Sequence, residues 1–245
     1  MSKPNMTNPA DVTAISDGPP EPASSEVEAY RHILRRIRLG ELQPGARMRT
    51  EDIAVTIGMS RQPVREAIRR LEAEGYVTSR PNRGAMVRQY TPEQLLELFE
   101  IRAALEGLAV QIAAPQLQPD DFTRLEAQLA LMDDASASCG EATNDWLARH
   151  VEFHLHLVRL ARRPRLAIEI ARLHAMLEPY LRLWFVNAGT PTNSRDEHDQ
   201  ILQILRYGYP KHAEDVMRAH VLSTAAHIIP HVKFIGQTAT LDEPG

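Results

Sequence analysis

The feature that most constrains the fold is a helical period of apolar residues that runs unbroken after Thr91-Pro92. Apolar side chains recur there every three or four residues, and no alternating strand pattern intervenes. The first helix is marked by Leu95, Leu98, Phe99, Leu105, Leu108 and Ile112, and the second by Phe122, Leu125, Leu129 and Met132. Four more are expected at about 143–161, about 165–188 with a kink at Pro179, from Asn193 or Ser194 to about Tyr207, and from Pro210. Because such helices bury their apolar faces against one another, residues 91–235 are predicted to form an all-helical bundle.

Residues 26–90 have a different organisation, with three short helices followed by a hairpin. The first helix carries Val27, Tyr30, Ile33, Leu34 and Ile37, the second Ile53, Ala54 and Ile57, and the third Val64, Ile68 and Leu71. Thr50 and Ser60 are predicted to cap the second and third helices. Residues 76–78 and 85–87 are predicted strands, and the loop 79–84 between them is polar and basic. The fold class is therefore mainly α, with an N-terminal winged helix-turn-helix before the helical bundle.

The net charge of -4 conceals a partition between these two segments. Residues 26–90 contain 13 Arg, no Lys and 8 acidic residues, whereas residues 91–245 carry a net charge of -7. Residues 1–25 are rich in Pro, Ser, Asn and Asp and are predicted to be a disordered tail, and residues 236–245 form a second tail. The sequence has no apolar run near 18 residues and no signal peptide, and Cys139 is its only cysteine. We expect a cytoplasmic protein with no membrane partner.

The third short helix carries the chemistry expected of a DNA-reading element. Arg61, Arg65 and Arg69 recur at steps of four, opposite the buried stripe, and Gln62 lies on the same exposed side. Arg can bond guanine at two atoms, Gln can read adenine, and Ser60 stands at the helix start, where a phosphate oxygen is favoured. In the wing, Arg80, Arg83 and Gly84 can follow the backbone or enter the minor groove. The competing interpretation is an ordinary solvated face.

Nine of the ten histidines follow residue 90. His150 and His154 are four residues apart, which is the spacing by which one helix offers two imidazoles to one metal ion. His198 and His220 lie on later helices, and four imidazoles suit Zn or Ni better than Mg or Ca. Periodicity does not choose between His220 and its neighbours on the same face, His227 and His231. A histidine with an ordinary hydrogen bond is the competing interpretation for each.

The basic segment resembles the winged helix-turn-helix of GntR-type bacterial transcription regulators. The resemblance rests on Gly40-Glu41-Leu42-Gln43-Pro44-Gly45, Ser60-Arg61-Gln62-Pro63-Val64-Arg65-Glu66-Ala67, Leu71-Glu72-Ala73-Glu74-Gly75-Tyr76-Val77 and Pro81-Asn82-Arg83-Gly84-Ala85. It implies DNA contacts from Arg61, Arg65, Ser60 and Gly84. Some members carry an Arg where this chain has Glu51, and Arg49 can substitute for it.

The acidic segment, from about 91 to 235, is similar to the FCD effector domain of the FadR-type GntR subfamily. The residues that carry this resemblance are Leu98-Phe99-Glu100-Ile101-Arg102-Ala103-Ala104-Leu105-Glu106, Phe153-His154, Glu197-His198-Asp199-Gln200-Ile201-Leu202 and Met217-Arg218-Ala219-His220. Many such domains bind a divalent metal with one Asp and three His. The resemblance places the three His at His154, His198 and His220 and puts His150 at the usual Asp position. It also implies that Arg102 faces the cavity and pairs with an organic-acid effector.

Together these features predict a DNA-binding transcription regulator, a repressor rather than an activator, that binds a palindromic double-stranded operator as a homodimer. A small carboxylate metabolite bound near a divalent metal, Zn or Ni, is expected to control operator binding. The alternative within this class is a metal-responsive regulator, in which the ion itself is the effector. A metal-dependent hydrolase is disfavoured because the chain has no His-Glu-x-x-His motif and no nucleophile–base pair is evident.

Overall fold

The structure is a computed structural model, and it describes residues 24–80, 84–136, 142–188 and 194–232. The predicted architecture, a winged helix-turn-helix followed by a helical domain, is confirmed. The elements in chain order are α1 (Ser25–Arg38), β1 (Arg47–Met48), α2 (Thr50–Thr56), α3 (Arg61–Ala73), β2 (Val77–Arg80), β3 (Gly84–Val87), α4 (Pro92–Ala113), a 3-10 turn (Ala114–Gln116), α5 (Pro119–Ser136), α6 (Ala142–Leu160), α7 (Pro164–Ala188), α8 (Ser194–Arg206) and α9 (Pro210–Val232).

The winged helix packs around a small apolar core of its own. Its buried members come from the three helices and the sheet, and they include Ile33, Ile53, Val64, Leu71 and Val77. The three strands are antiparallel in the order β1-β3-β2, with Arg47 opposite Met86 and Arg80 opposite Gly84. Sequence analysis did not predict β1, because a strand of two residues is too short to show a period.

The helical domain is organised around α4. The helix begins with a capping box, in which the Thr91 hydroxyl accepts from the Gln94 amide and the Gln94 side chain accepts from Thr91 N–H. Gly107 lets α9 approach closely, because a Cβ there would lie 2.7 Å from Arg218 Cγ and 3.1 Å from the Glu214 carbonyl oxygen. The apolar core of this domain is built from α4 through α9. Within the described parts of the chain, no helix is both long and apolar enough to cross a membrane.

Several predicted element ends differ from the observed ones. The N-cap of α2 is Arg49, so Thr50 is its first helical residue instead of the cap. Ser60 is the N-cap of α3 as predicted, but its side chain makes no capping hydrogen bond. Helix α1 begins at Ser25, so this residue is helical and not part of the tail predicted for residues 1–25. A single helix, α7, runs through Pro179. The tail predictions for residues 1–23 and 236–245, and those for Arg83, Cys139 and Asn193, lie outside the described residues.

The winged helix is held against α7 of the same chain. Arg38, at the end of α1, donates from Nε to Glu178 Oε2 at 2.6 Å. The Arg182 guanidinium donates to the Arg38 carbonyl oxygen at 2.8 Å. Between β3 and α4, the backbone N–H of Tyr90 donates to the Tyr180 hydroxyl at 2.8 Å. These contacts give the winged helix a defined position relative to the helical domain.

Candidate DNA-binding surface and metal centre

The helix α3 presents one apolar and one basic face. Its apolar side buries Val64, Ala67, Ile68 and Leu71 in the winged-helix core. The side chains of Arg61, Gln62, Arg65 and Arg69 are exposed on the surface of the same helix. Since the Ser60 hydroxyl makes no capping bond, it is available at the helix start together with the free backbone N–H groups. This arrangement suits insertion into a major groove.

Two of these exposed side chains already have acidic partners. Arg61 Nη1 lies 3.3 Å from Glu51 Oε1, and both side chains are more than half exposed. Gln62 Nε2 donates to Glu66 Oε1 at 2.6 Å. The Glu51 contact was not predicted, because the two residues lie on different helices and only the turn between α2 and α3 brings them together. Arg49, the predicted substitute for a family arginine, is exposed at the N-cap of α2.

The wing is described only at its base. Gly84 opens β3 with φ of +74°, and no atom of the described residues lies within 4 Å of where a Cβ would be, so the backbone there can approach a phosphate closely. Arg83 and the side chain of Arg80 lie outside the described part of the chain. Their DNA contacts therefore stay predictions.

Replacing Glu51 with glutamine is expected to tighten DNA binding by about 3- to 10-fold at low salt. The carboxylate competes with phosphate for the Arg61 guanidinium and repels the DNA backbone, and both effects weaken as salt screens them. The measurement is fluorescence anisotropy of a labelled duplex at several salt concentrations. Glu152→Gln, which removes an equally exposed carboxylate from α6, is the matched control. Weaker binding by Glu51→Gln would instead mean that Glu51 itself contacts a base, as a carboxylate can with cytosine.

Four histidines converge inside the helical domain, on three helices. His154 Nε2 lies 3.2 Å from His150 Nε2, 3.4 Å from His198 Nε2 and 3.3 Å from His220 Nε2. All four side chains are buried, and their candidate ligand atoms lie within 4.8 Å of one another. His150 is also stacked on Trp146, with the ring centroids 4.9 Å apart. The other two histidines that share the His220 face are exposed, and the Nδ1 atoms of His227 and His231 lie near backbone carbonyl oxygens of α9.

Two glutamates orient two of these imidazoles. Glu106 Oε2 is 2.7 Å from His154 Nδ1, and Glu197 Oε2 is 2.7 Å from His220 Nδ1. A carboxylate can only accept, so each of these Nδ1 atoms carries a proton, which in a neutral imidazole leaves the lone pair on Nε2. The His220 hydrogen bond is the main cause of a lowered pKa at Glu197, which keeps that glutamate ionised. In that tautomer the Nε2 atoms of His154 and His220 face each other with the lone pair that a metal ion binds.

Burial also favours the neutral form of His150 and His154. It lowers the pKa of His150 well below its usual range and lowers the pKa of His154 to about 3, against the opposing effect of Glu106. At Glu106 burial alone would raise the pKa, but Arg102 and the two neighbouring histidines outweigh it, so the pKa lies well below its usual value. The interior therefore combines the neutral imidazoles of His150 and His154 with the ionised carboxylate of Glu106.

A second cluster, Glu106 with His154 and His174, adjoins the first. Arg102 Nε donates to Glu106 Oε1 at 2.6 Å, and the Arg102 side chain is fully buried. Because the guanidinium already neutralises this carboxylate, the cluster supports the four histidines better than it would hold a second cation. Arg102 Nη1 is buried and has no hydrogen-bond partner among the described residues.

Sequence reasoning missed Glu106, Glu197, His174 and Trp146 as parts of this centre. Glu106 is four residues after Arg102, which predicts an ordinary ion pair, and Glu197 directly precedes His198. Only the packing of α4, α6, α7, α8 and α9 brings these side chains together.

Comparison with known protein families and relatives gives a consistent result. The profile "Bacterial regulatory proteins, gntR family" matches residues 26–87, and the profile "FCD domain" matches residues 97–223. A probable D-xylose utilization operon transcriptional repressor of Paenarthrobacter nicotinovorans is 30% identical over 207 residues, covering 80% of this chain and 86% of the relative. The HTH-type transcriptional repressor GlaR of Escherichia coli is 23% identical over 205 residues, covering 81% of this chain and 93% of the relative.

Solved structures share the fold. The structure of E. coli McbR/YncC superposes with a TM-score of 0.72 at 24% identity, covering 86% of this chain and 99% of that chain. A putative GntR transcriptional regulator from Rhodococcus sp. RHA1 also gives a TM-score of 0.72, at 23% identity, with 85% and 99% coverage.

Proposed function

Because the chain belongs to the gntR family of bacterial regulatory proteins and carries an FCD domain, it is a transcription regulator, and we propose that a small carboxylate bound beside a four-histidine metal centre controls its operator binding. The observation that carries this proposal is the convergence of four buried Nε2 atoms near Arg102, whose Nη1 atom has no hydrogen-bond partner within the part of the chain that the structure describes. The family and the relatives above are transcription regulators, not enzymes. Repressor names among the relatives support repression as the default activity here.

The spacing of the histidines supports a tetrahedral ion. At zinc–nitrogen bonds of about 2.0–2.1 Å, tetrahedral ligand atoms lie about 3.4 Å apart, whereas neighbouring ligands of an octahedral ion at that bond length lie about 2.9 Å apart. The three distances from His154 Nε2, 3.2, 3.4 and 3.3 Å, are close to the tetrahedral value, and all four ligand atoms lie within 4.8 Å of one another. We therefore propose a single zinc or nickel ion that would be held by His150, His154, His198 and His220. When bound, the ion supplies fixed positive charge in an apolar interior.

The charges around the centre favour an anionic effector. Four neutral imidazoles do not offset a divalent ion, and the carboxylate of Glu106 is already paired with Arg102. Glu197, the second carboxylate in contact with the ligand set, is the remaining partial compensation. An organic acid would add negative charge and give Arg102 Nη1 the hydrogen-bond partner that it lacks.

In this proposal the two parts of the chain have separate roles. Residues 26–90 read the operator through α3 and the wing, and residues 91–235 bind the metal and the acid and hold two subunits together. A homodimer presents two recognition helices related by a two-fold axis, so its operator is expected to be palindromic. An acid that binds better to one placement of these helices shifts the population toward that placement.

One observation favours the alternative, in which the ion itself is the signal. Four histidine ligands would occupy all four coordination positions of a tetrahedral ion, so no coordination position would remain for an atom of the effector. The two functions differ in one measurement, namely operator affinity as zinc is added without any organic acid. A change with zinc alone supports the metal-responsive regulator. A change that needs both zinc and acid supports the metabolite-responsive one.

The proposal is tested by zinc analysis and ligand screening of the purified full-length protein. We expect about one zinc per chain, since the four ligands form one site. A panel of acetate, lactate, malate and citrate, added to zinc-loaded protein, is expected to contain an acid that raises Tm, because it binds the native state. Absence of bound metal, even after incubation with zinc or nickel, would contradict the assignment of His150, His154, His198 and His220 as ligands.

Arg102→Lys is expected to weaken binding of the stabilising acid by about 10- to 150-fold, the loss that corresponds to one charged hydrogen bond of roughly 1.5–3 kcal/mol. Lysine keeps a positive charge beside Glu106 but lacks the forked guanidinium that can hold two carboxylates at once. The measurement is the acid concentration that gives half of the maximal Tm rise. Zinc content should stay at the wild-type level. An unchanged acid response would remove Arg102 from the effector site.

A further inference from the structure

The carboxylate of Glu106 touches two histidines on two different helices. Its Oε2 atom lies 2.7 Å from Nδ1 of His154 on α6, and its Oε1 atom lies 2.7 Å from Nε2 of His174 on α7. Arg102 Nε donates to the same Oε1 atom at 2.6 Å. All four side chains are almost completely buried. One carboxylate thus joins a candidate metal ligand to a helix that supplies none of the four converging imidazoles.

The protonation of both imidazoles follows from this geometry. An ionised carboxylate only accepts, so His154 donates from Nδ1 and His174 donates from Nε2. The remaining nitrogen of His154 points to the other three imidazoles. Nδ1 of His174 is buried with no hydrogen-bond partner in the described residues. Within the described residues, the hydrogen bond to Glu106 is therefore the one polar contact of the His174 ring, and it ties α7 to α4.

The next two turns of α7 hold the winged helix. Glu178, four residues after His174, binds Arg38 at the end of α1. Arg182, another turn along, donates to the Arg38 carbonyl oxygen and lies 3.3 Å from Glu178. Tyr180 accepts from the backbone of Tyr90, the residue that leads from the wing into α4. The same helix therefore contacts both Glu106 and, through Glu178, Tyr180 and Arg182, the DNA-reading segment.

We propose that Glu106 is a positioning residue that couples occupancy of the four-histidine centre to the placement of the winged helix, acting through His174 and α7. This inference rests on the proposed function, because it assumes that the histidines bind a metal. Metal binding fixes the orientation of the His154 ring, and the second carboxylate oxygen transmits that orientation to His174. Closely packed interiors respond by switching between discrete arrangements, so a shift at His174 moves α7 as a unit.

The coupling is tested with variants that separate metal affinity from communication. His174→Leu removes the donor to Glu106 but none of the four ligands, and Glu106 keeps Arg102 as a partner. His174→Gln retains an N–H donor near the position of Nε2 and is the conservative rescue. Glu106→Gln alters the contacts to both histidines. His212→Leu, at an exposed position of α9, is the matched control.

Two quantities are measured for each full-length variant. Zinc affinity is determined by competition with a chromophoric chelator, and the zinc-induced slowing of backbone hydrogen exchange is measured over residues 169–182 and 35–40. In the wild type and in His212→Leu, zinc is expected to slow exchange in both segments. In His174→Leu, zinc affinity should stay within about threefold of wild type while the slowing falls at least fivefold, and His174→Gln should restore it. Glu106→Gln should weaken zinc binding by about 10- to 100-fold.

The outcomes distinguish the inference from the function on which it rests. If His174→Leu keeps the wild-type slowing in both segments, or if zinc binds the wild type without any change in α7, the coupling is wrong and the metal site stands. If the wild type binds no zinc, the proposed function fails and the coupling fails with it.

Discussion

Arg61→Ala and Arg65→Ala are each expected to weaken operator binding by about 5- to 150-fold, the loss that corresponds to one bidentate base contact of roughly 1–3 kcal/mol. Both guanidinium groups lie on the exposed side of α3, opposite the stripe that packs into the winged-helix core. Because α3 is held by that stripe, removing either arginine should change DNA contacts without unfolding the segment. The operator is first obtained by selecting bound duplexes from a random pool with wild-type protein, and affinities are then measured by anisotropy.

The salt dependence of these affinities separates two kinds of contact. An arginine that binds phosphate should lower the slope of log K against log salt by about one when it is removed, whereas one that reads a base should relax sequence preference at one position. Arg159→Ala, which removes an exposed guanidinium paired with Glu152 on α6, is the matched control and should leave binding unchanged. If Arg61→Ala and Arg65→Ala leave both affinity and salt dependence at wild-type values, α3 is not the recognition helix.

His154→Asn is expected to abolish stabilisation by zinc. Asparagine can still donate to Glu106 from the position of Nδ1, but it removes the Nε2 atom around which the other three imidazoles are placed. Zinc at about a thousand times its Kd stabilises a native state by about 4 kcal/mol. For a chain of this size that corresponds to a rise in Tm of about 8–16 °C. The measurement is Tm with zinc and with a chelator, for wild type and variant.

The control for this experiment lies on the same helix. His156 is half-buried on another side of α6, where its Nδ1 atom contacts Gln128. His156→Asn should therefore show the full zinc-dependent rise in Tm. Comparing the zinc-dependent difference, and not Tm itself, removes any effect of the substitution on the fold. A wild-type zinc response in His154→Asn would mean that the ion is bound elsewhere.

The elements of the fold could largely be predicted because they depend on short-range patterns. The third short helix follows from the stripe of Val64, Ile68 and Leu71, and the helices after Thr91 follow from the same period. The two-residue strand β1 could not be predicted in this way. Its pairing with β3 is a contact between residues almost 40 positions apart, and nothing in the local pattern of Arg47 and Met48 indicates it.

The histidines show where local spacing stops being informative. His150 and His154 share a helical face by spacing alone, but His220, His227 and His231 also share one. The structure buries His220 beside the other three imidazoles and leaves His227 and His231 exposed, because only one side of α9 packs into the bundle. The resemblance to a known family selected His220, which periodicity could not do. Metal binding itself stays a prediction.

The sequence by itself determined the mainly helical fold, the basic and acidic halves and the basic face of α3, because these depend on residue order and short-range geometry. Only the tertiary structure decided that Glu51 reaches Arg61, that Glu106 joins His154 to His174, and that α7 holds Arg38 through Glu178. The physical reason is that these contacts join different helices. Whether two such side chains meet depends on how whole helices pack, which the burial of many apolar residues sets together.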